Sequence, residues 1–154
     1  MKRRWALVVA LGGTVLFGAS AADGQVARPH PGATYEGKIT ETAGAKVLAS
    51  QRINFTVDGQ GKTVSNFTLR DGYPVYCAPK GIGEAQSTTA RVSPPGTFTA
   101  KLPIYAPHHR LQGNLIVTGT FAAHNLESGQ VKTMFMAASR KSCNGTAAYK
   151  TKAK

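Results

Sequence analysis

The sequence predicts an all-β fold, an antiparallel β-sandwich of about eight or nine short strands with one inter-strand disulfide. Glycine and proline interrupt short runs of β-branched and aromatic residues along the chain, a pattern typical of all-β domains. No long window keeps an unbroken helical period, and the best helical candidate, 41–51, could equally connect two strands. The third observation is that the chain has two cysteines, Cys77 and Cys143.

The first predicted strands lie in the N-terminal half of the domain. Residues 52–58 give the clearest signal, because Ile53, Phe55 and Val57 alternate with polar residues and therefore share one face. The segment 58–61, Asp-Gly-Gln-Gly, follows, and its aspartate and glycines are typical of a tight hairpin turn. Strands are predicted at 34–40, 52–58, 62–70 and 73–78, the last placing Val75 and Cys77 on one face.

The second half of the domain begins after a glycine-rich loop at 79–86. Residues 114–122 form a strong strand candidate, with Leu115, Val117 and Phe121 on one face. Pro103 cannot donate a hydrogen bond to a ladder, which indicates a strand near a sheet edge. The predicted strands here are 87–92, 97–105, 114–122, 130–138 and 146–151.

The number of predicted strands sets the architecture. One open antiparallel sheet of this length would leave much of its apolar face in water. Two packed sheets or a closed barrel would bury that face, and we expect the sandwich.

The N-terminus resembles a secretory signal peptide. Lys2, Arg3 and Arg4 precede an apolar stretch of about 14 residues, and Ala19-Ser20-Ala21 supplies the small residues of a cleavage site. The apolar stretch is too short to span roughly 30 Å of hydrocarbon. We therefore expect a cleaved signal at 1–21, a flexible leader at 22–33, a β-domain at 34–152 and no transmembrane segment in the mature chain. The protein is predicted to be secreted, to the periplasm or the cell exterior.

The charge is strongly positive. The formal net charge is +12, and removal of Lys2, Arg3 and Arg4 with the signal would lower it to +9. Such an excess favours an anionic polymer or an envelope component as partner over a specific nucleic acid site. The basic residues are scattered rather than blocked, however, so solubility alone could account for the charge.

The cysteine count predicts a structural disulfide between Cys77 and Cys143. An even pair in a small secreted domain usually forms a bridge. The bridge would close a loop of about 67 residues and contribute roughly 4 kcal/mol by the chain-entropy model. A redox-active pair would more often be closely spaced.

The strand pattern resembles a group of secreted bacterial β-sandwich domains of unknown function. The resemblance is carried by 35–38 (Tyr-Glu-Gly-Lys), 53–57 (Ile-Asn-Phe-Thr-Val), Cys77, 119–121 (Gly-Thr-Phe) and Cys143 before a final aromatic strand. It covers nearly all of the mature chain. It implies the sandwich fold and the disulfide, and it brings no catalytic residue.

The candidate binding residues cluster in one loop. Tyr105, His108, His109 and Arg110 lie in or beside the loop at 106–112, and Lys150 adds a cation near the C-terminus. Tyr73, Tyr76 and Tyr149 also lie near predicted strand ends or in loops, and such rings beside Arg70, Arg110 and Lys150 could form a polyanion surface. Two adjacent histidines are too few for a closed zinc site, so no metal and no cofactor is predicted.

The sequence offers little support for a catalytic function. No paired carboxylates stand out for glycoside hydrolysis, and no Gly-x-Ser-x-Gly elbow occurs. The main hypothesis is a non-enzymatic secreted module that binds an anionic surface or partner. The alternatives are a metal-dependent or hydrolytic enzyme using His108 and His109, and a structural or assembly subunit.

Overall fold

The computed structural model describes residues 27–40, 49–74, 84–106, 108, 110–123, 126–136 and 142–154. These residues form β-strands, turns and extended connections, with no α-helix among them. Accordingly, no helix in the described ranges is long and apolar enough to cross a membrane.

Nine strands pair into one sheet. The sheet order is β4-β6-β7-β8-β9-β1-β2-β3-β5, and every neighbouring pair is antiparallel. The strands are β1 (Thr34–Thr40), β2 (Arg52–Val57), β3 (Thr63–Arg70), β4 (Glu84–Ala85), β5 (Ala90–Arg91), β6 (Thr97–Ala106), β7 (Arg110–Ala123), β8 (Leu126–Met136) and β9 (Ser142–Ala153).

The sheet curls until its two edges approach each other. Each edge strand, β4 and β5, has two residues, and both belong to the segment that runs from Glu84 to Arg91. This segment joins the two edges of the sheet, since β5 pairs with β3 and β4 pairs with β6. Farther along, the amide of Val92 donates to the carbonyl of Lys62, and Ser93 forms a bridge to Thr97. The result is a barrel-like, nearly closed sheet.

The predicted all-β antiparallel class is confirmed, but the sandwich is not. All nine strands belong to one hydrogen-bonded sheet, and closure of that sheet buries the apolar face that two layers were expected to bury. The strands are also longer than predicted: β7 has 14 residues, β8 has 11 and β9 has 12. Long strands can coil around a single core without a break between layers.

The core is an aromatic cluster inside the curled sheet. The rings of Tyr35 and Phe55 stack with centroids 5.3 Å apart, and Phe121 meets Tyr35 edge-on at the same centroid distance. Phe67 and Phe98 complete the cluster, each within 5.5 Å of Phe55 between centroids. The alternation predicted for 52–58 is confirmed, since Ile53, Phe55 and Val57 are all buried.

The predicted turn at 58–61 joins β2 to β3. The carboxylate of Asp58 accepts hydrogen bonds from the amides of Lys62 (2.7 Å) and Thr63 (3.2 Å). These bonds lower the pKa of the Asp58 carboxyl, because they stabilise its charged form. Gly61 adopts a φ of 69°, which a glycine reaches without steric cost.

Residues 27–33, part of the predicted leader, contact the end of the sheet. Pro29 and Ala33 are buried. The amide of His30 donates to the hydroxyl of Tyr35 over 3.0 Å, and the amide of Gly32 donates to the carbonyl of Asp58 over 2.9 Å. The strand that follows, β1, begins at the predicted domain boundary, Thr34.

Candidate functional site

Four cationic residues stand directly opposite one another across four neighbouring strands. Lys150 on β9 faces Lys38 on β1, Lys38 faces Arg52 on β2, and Arg52 faces Arg70 on β3. Directly opposite residues share a face of the sheet, with Cβ atoms about 5 Å apart. We call Lys38, Arg52, Arg70 and Lys150 the cationic row.

The cationic row lies on the outer surface of the sheet. Side chains alternate along a strand, and the residues next to the row, such as Ile39, Ile53 and Tyr149, are buried in the core. Lys38, Arg70 and Lys150 are exposed and Arg52 is half-buried. The same alternation that builds the core therefore presents the row to solvent.

Arg52 is held in place by its own turn. One guanidinium nitrogen, Nη1, donates to the carbonyl of Ala49 over 2.9 Å and to the carbonyl of Gln51 over 3.0 Å. Two contacts from one nitrogen leave the rest of the guanidinium fork for other acceptors. Arg52 therefore adds an oriented cation to the row.

Little negative charge accompanies the row. Glu36 is the one acid among the outward residues of β9, β1, β2 and β3. It forms an ion pair with Lys154, and it stands opposite Lys152 in the ladder. The pKa of the Glu36 carboxyl is lowered chiefly by Lys154, with smaller contributions from Arg70 and Arg52. The charges of Arg70 and Arg52 therefore favour the ionised form of Glu36.

The predicted binding residues do not form one site. Tyr105 is half-buried opposite Leu111, whereas His108 and Arg110 are exposed at the turn between β6 and β7. His109 lies outside the described residues. Lys150 faces Ser128, which faces Thr120, and Thr120 is ten residues along β7 from Arg110. At the usual rise of a strand, this separation is roughly 30 Å.

Tyr149 and Tyr73, two of the tyrosines predicted to accompany the cations, pack in or against the core. Tyr149 is 1% exposed, so its ring is not available to stack on a ligand. Tyr73 is half-buried, and its hydroxyl accepts a hydrogen bond from the amide of Ala85 over 2.6 Å. Tyr76 lies outside the described residues.

Sequence reasoning missed most of the row. The sequence predicts no binding role for Lys38 or Arg52, and it predicts one for Arg70 only together with the tyrosines. Their alternation with apolar residues could have placed each on an outward face. Their alignment in one row was hard to predict, because it depends on the register of the strands. The charges themselves do not determine that register.

A second polar cluster lies inside the sheet. The carboxyl of Glu127 on β8, 2% exposed, lies 2.7 Å from the hydroxyl of Tyr149 and 2.7 Å from that of Thr151 on β9. The Tyr149 hydroxyl also lies 3.0 Å from the carbonyl of Thr118, to which it can donate. Burial raises the pKa of the Glu127 carboxyl to about 7, although both hydroxyls lower it.

Among the described residues, the carboxyl of Glu127 is closely packed and almost completely removed from solvent. Gly119 presses against it, because a Cβ atom at this position would overlap both Glu127 and the ring of Phe98. Tyr149 is itself buried, and its pKa is raised well above the usual value by burial and by Glu127. The described geometry is that of a packed polar cluster.

The cysteines are described at one end only. Cys143 is buried on β9 opposite Phe135, and it is not a free thiol. Cys77 lies outside the described residues, so the predicted pairing stays a prediction at this point. The described residues also contain no group of three or more His, Cys, Asp or Glu that could hold a metal ion.

No protein-family model, curated protein or solved structure matches the chain.

Proposed function

We propose that this protein is a non-enzymatic binding module that holds an anionic partner against the outer face of β9, β1, β2 and β3. The observation that carries the proposal is the direct opposition of Lys150, Lys38, Arg52 and Arg70. Like charges directly opposite across strands destabilise a sheet. A bound anion would remove that cost.

The charge around the row supports an anionic partner. Glu36 is the single acid on these strands, and it is offset by its ion pair with Lys154 and by Lys152 opposite it. A face with a strong excess of one sign attracts polyions of the opposite sign and speeds their association. Salt should weaken the interaction, because exposed charges are screened over about 8 Å at physiological ionic strength.

The proposed compartment is extracytoplasmic. The signal-like segment at 1–21 supports export, and a disulfide between Cys77 and Cys143 would suit an oxidising compartment. Support for this pairing comes from Cys143, which is not free. It also comes from Pro74 and Glu84, the described residues that flank the 75–83 segment. Pro74 comes shortly after β3, and Glu84 pairs with the end of β6. Both residues lie at the end of the sheet where β9 begins.

The test is retention on a sulfated-polymer resin with a salt gradient. The purified protein is compared with a double variant in the row, Lys38→Gln with Lys150→Gln. The control is Lys101→Gln with Lys132→Gln, which removes the same charge from exposed lysines on β6 and β8. The row variant should elute at clearly lower salt than the control. Equal elution of the two variants, or no retention of the unmodified protein, would refute the proposal.

A further inference from the structure

Resting on the proposed function, we infer that the partner is a flexible linear polyanion that lies across the strands along the cationic row. The row defines the direction. Its four members occupy one register level on four consecutive strands, so the row runs perpendicular to the strands. With about 5 Å between successive Cβ atoms, the line from Lys150 to Arg70 is roughly 15 Å long.

The exposed positive charge of these four strands is concentrated along a line and is not spread over a broad surface. Moving two residues along each strand changes the outward residue to Glu36 or Thr40 on β1, Asn54 on β2 and Thr68 on β3. Only β9 continues the charge, at Lys152, and that lysine faces Glu36. A partner with charges repeated along one dimension matches this distribution.

The curvature of the sheet favours a flexible chain over a membrane. The row occupies four of the nine strands of a nearly closed sheet, so its ends point in different directions. A flat bilayer surface would meet the strands at the crest of this curve and leave the ends of the row in water. A flexible chain can follow the arc and reach Lys150 and Arg70 together.

The residues beside the row indicate which class of polymer it binds. Apart from the row itself, Glu36 and Lys152, the outward residues of the four strands are Thr, Ser, Asn and Ala, and none of them carries an aromatic ring. Proteins that hold single-stranded nucleic acid use aromatic rings as stacking platforms. The row offers charge alone, so the fitting class is a polymer of sulfate, phosphate or carboxylate groups, bound without regard to bases.

The inference is tested with sulfated oligosaccharides of increasing length, from disaccharide to dodecasaccharide, measured by calorimetry at several salt concentrations. Affinity should rise with length until the chain covers roughly 15 Å and then level off. Lys38→Gln or Arg70→Gln should weaken the longest oligosaccharide by about two- to five-fold each. Each should also reduce the slope of log affinity against log salt by about one.

Lys152→Gln is the neighbouring control, because it removes one exposed charge beside the row but off its line. If Lys152→Gln weakens oligosaccharide binding as much as Lys38→Gln does, the partner contacts a diffuse positive surface and not a line. That result would overturn the inference. Vesicles of equal parts phosphatidylcholine and phosphatidylglycerol provide the second arm. Binding to vesicles that exceeds binding to the longest oligosaccharide, and that depends on the row, would favour a membrane and also overturn it.

These outcomes separate the two proposals. Row-dependent binding without dependence on oligosaccharide length would refute the linear partner and leave the anionic partner standing. Equal behaviour of the row variants and the Lys101, Lys132 control in every assay would refute both.

Discussion

The carboxyl of Glu127 and the hydroxyl of Tyr149 lie 2.7 Å apart in the interior of the sheet, on the neighbouring strands β8 and β9. In its protonated form Glu127 can donate to the tyrosine oxygen, which leaves the tyrosine proton for the carbonyl of Thr118 at 3.0 Å. In its ionised form the carboxylate can only accept. Two acceptors then compete for one tyrosine proton, and the charge is buried beside Phe98.

Stability should therefore fall as pH rises towards neutrality. Burial raises the pKa of Glu127 from an ordinary value of 4.5 to about 7. The folded state thus binds the proton more tightly than the unfolded state does. The contribution is complete below about pH 4.5 and is lost as pH rises through about 7, a decrease of about 3 kcal/mol in the free energy of unfolding.

Denaturant unfolding between pH 4.5 and 8.5 measures this decrease. Glu127→Gln keeps a neutral group of the same shape and should flatten the profile. Glu36→Gln is the control, because the pKa of this half-buried surface carboxyl is lowered, and it should leave the decrease near neutrality in place. A profile for Glu127→Gln that matches the unmodified protein would contradict the assignment.

Substitution of Gly119 should destabilise the protein strongly. A methyl group there would overlap the carboxyl of Glu127 and the ring of Phe98. Overpacking of this kind costs about 1–3 kcal/mol, so Gly119→Ala should lower the denaturant midpoint. Gly59→Ala is the matched control, since a Cβ atom at Gly59 meets nothing within 4 Å. Similar midpoints for the two variants would show that the core has room at Gly119.

The proposed disulfide should make stability sensitive to reductant. If Cys77 and Cys143 are joined, reduction should cost roughly 4 kcal/mol by the chain-entropy model, and peptide mapping under non-reducing conditions should recover the joined pair. Cys77→Ser should show the lower stability without reductant and no further loss with it. Recovery of both cysteines as free thiols from protein purified without reductant would contradict the pairing.

Removal of Glu36, the acid on the strands of the cationic row, should strengthen binding. Glu36→Gln frees Lys154 from its ion pair and removes a negative charge that faces Lys152. The oligosaccharide affinity should increase by about two- to five-fold at low salt. Asp58→Asn is the comparison, because this acid lies in the turn at the opposite end of β2, six residues from Arg52. An equal increase for both variants would mean that net charge, and not position, controls binding.

The fold was predictable where alternation was strong. In 52–58 the apolar residues recur at every second position, and the structure buries all of them. The predicted strand 34–40 matches β1 at both ends. The sequence predicts a sandwich, whereas the structure has one barrel-like sheet. Alternation shows that one face of each strand is buried, but what covers that face depends on strand order and coiling.

The candidate site was much less predictable. Lys150 was selected from the sequence, but it was grouped with Arg110 through charge and not through position. Lys38 and Arg52 lie fourteen residues apart in the chain, and their opposition is set by the register of β1 on β2. Glu127 carried no sequence signal either, since its burial follows from the pairing of β8 with β9 and from the space that Gly119 leaves.

The origin of the cationic row has a consequence for the timing of activity. Three members belong to the first three strands, whereas Lys150 belongs to β9, which pairs with β1 across almost the whole chain. During synthesis the first three strands emerge long before the last. The complete row therefore forms only when β9 docks beside β1, so the proposed binding should reach full strength only once folding has finished.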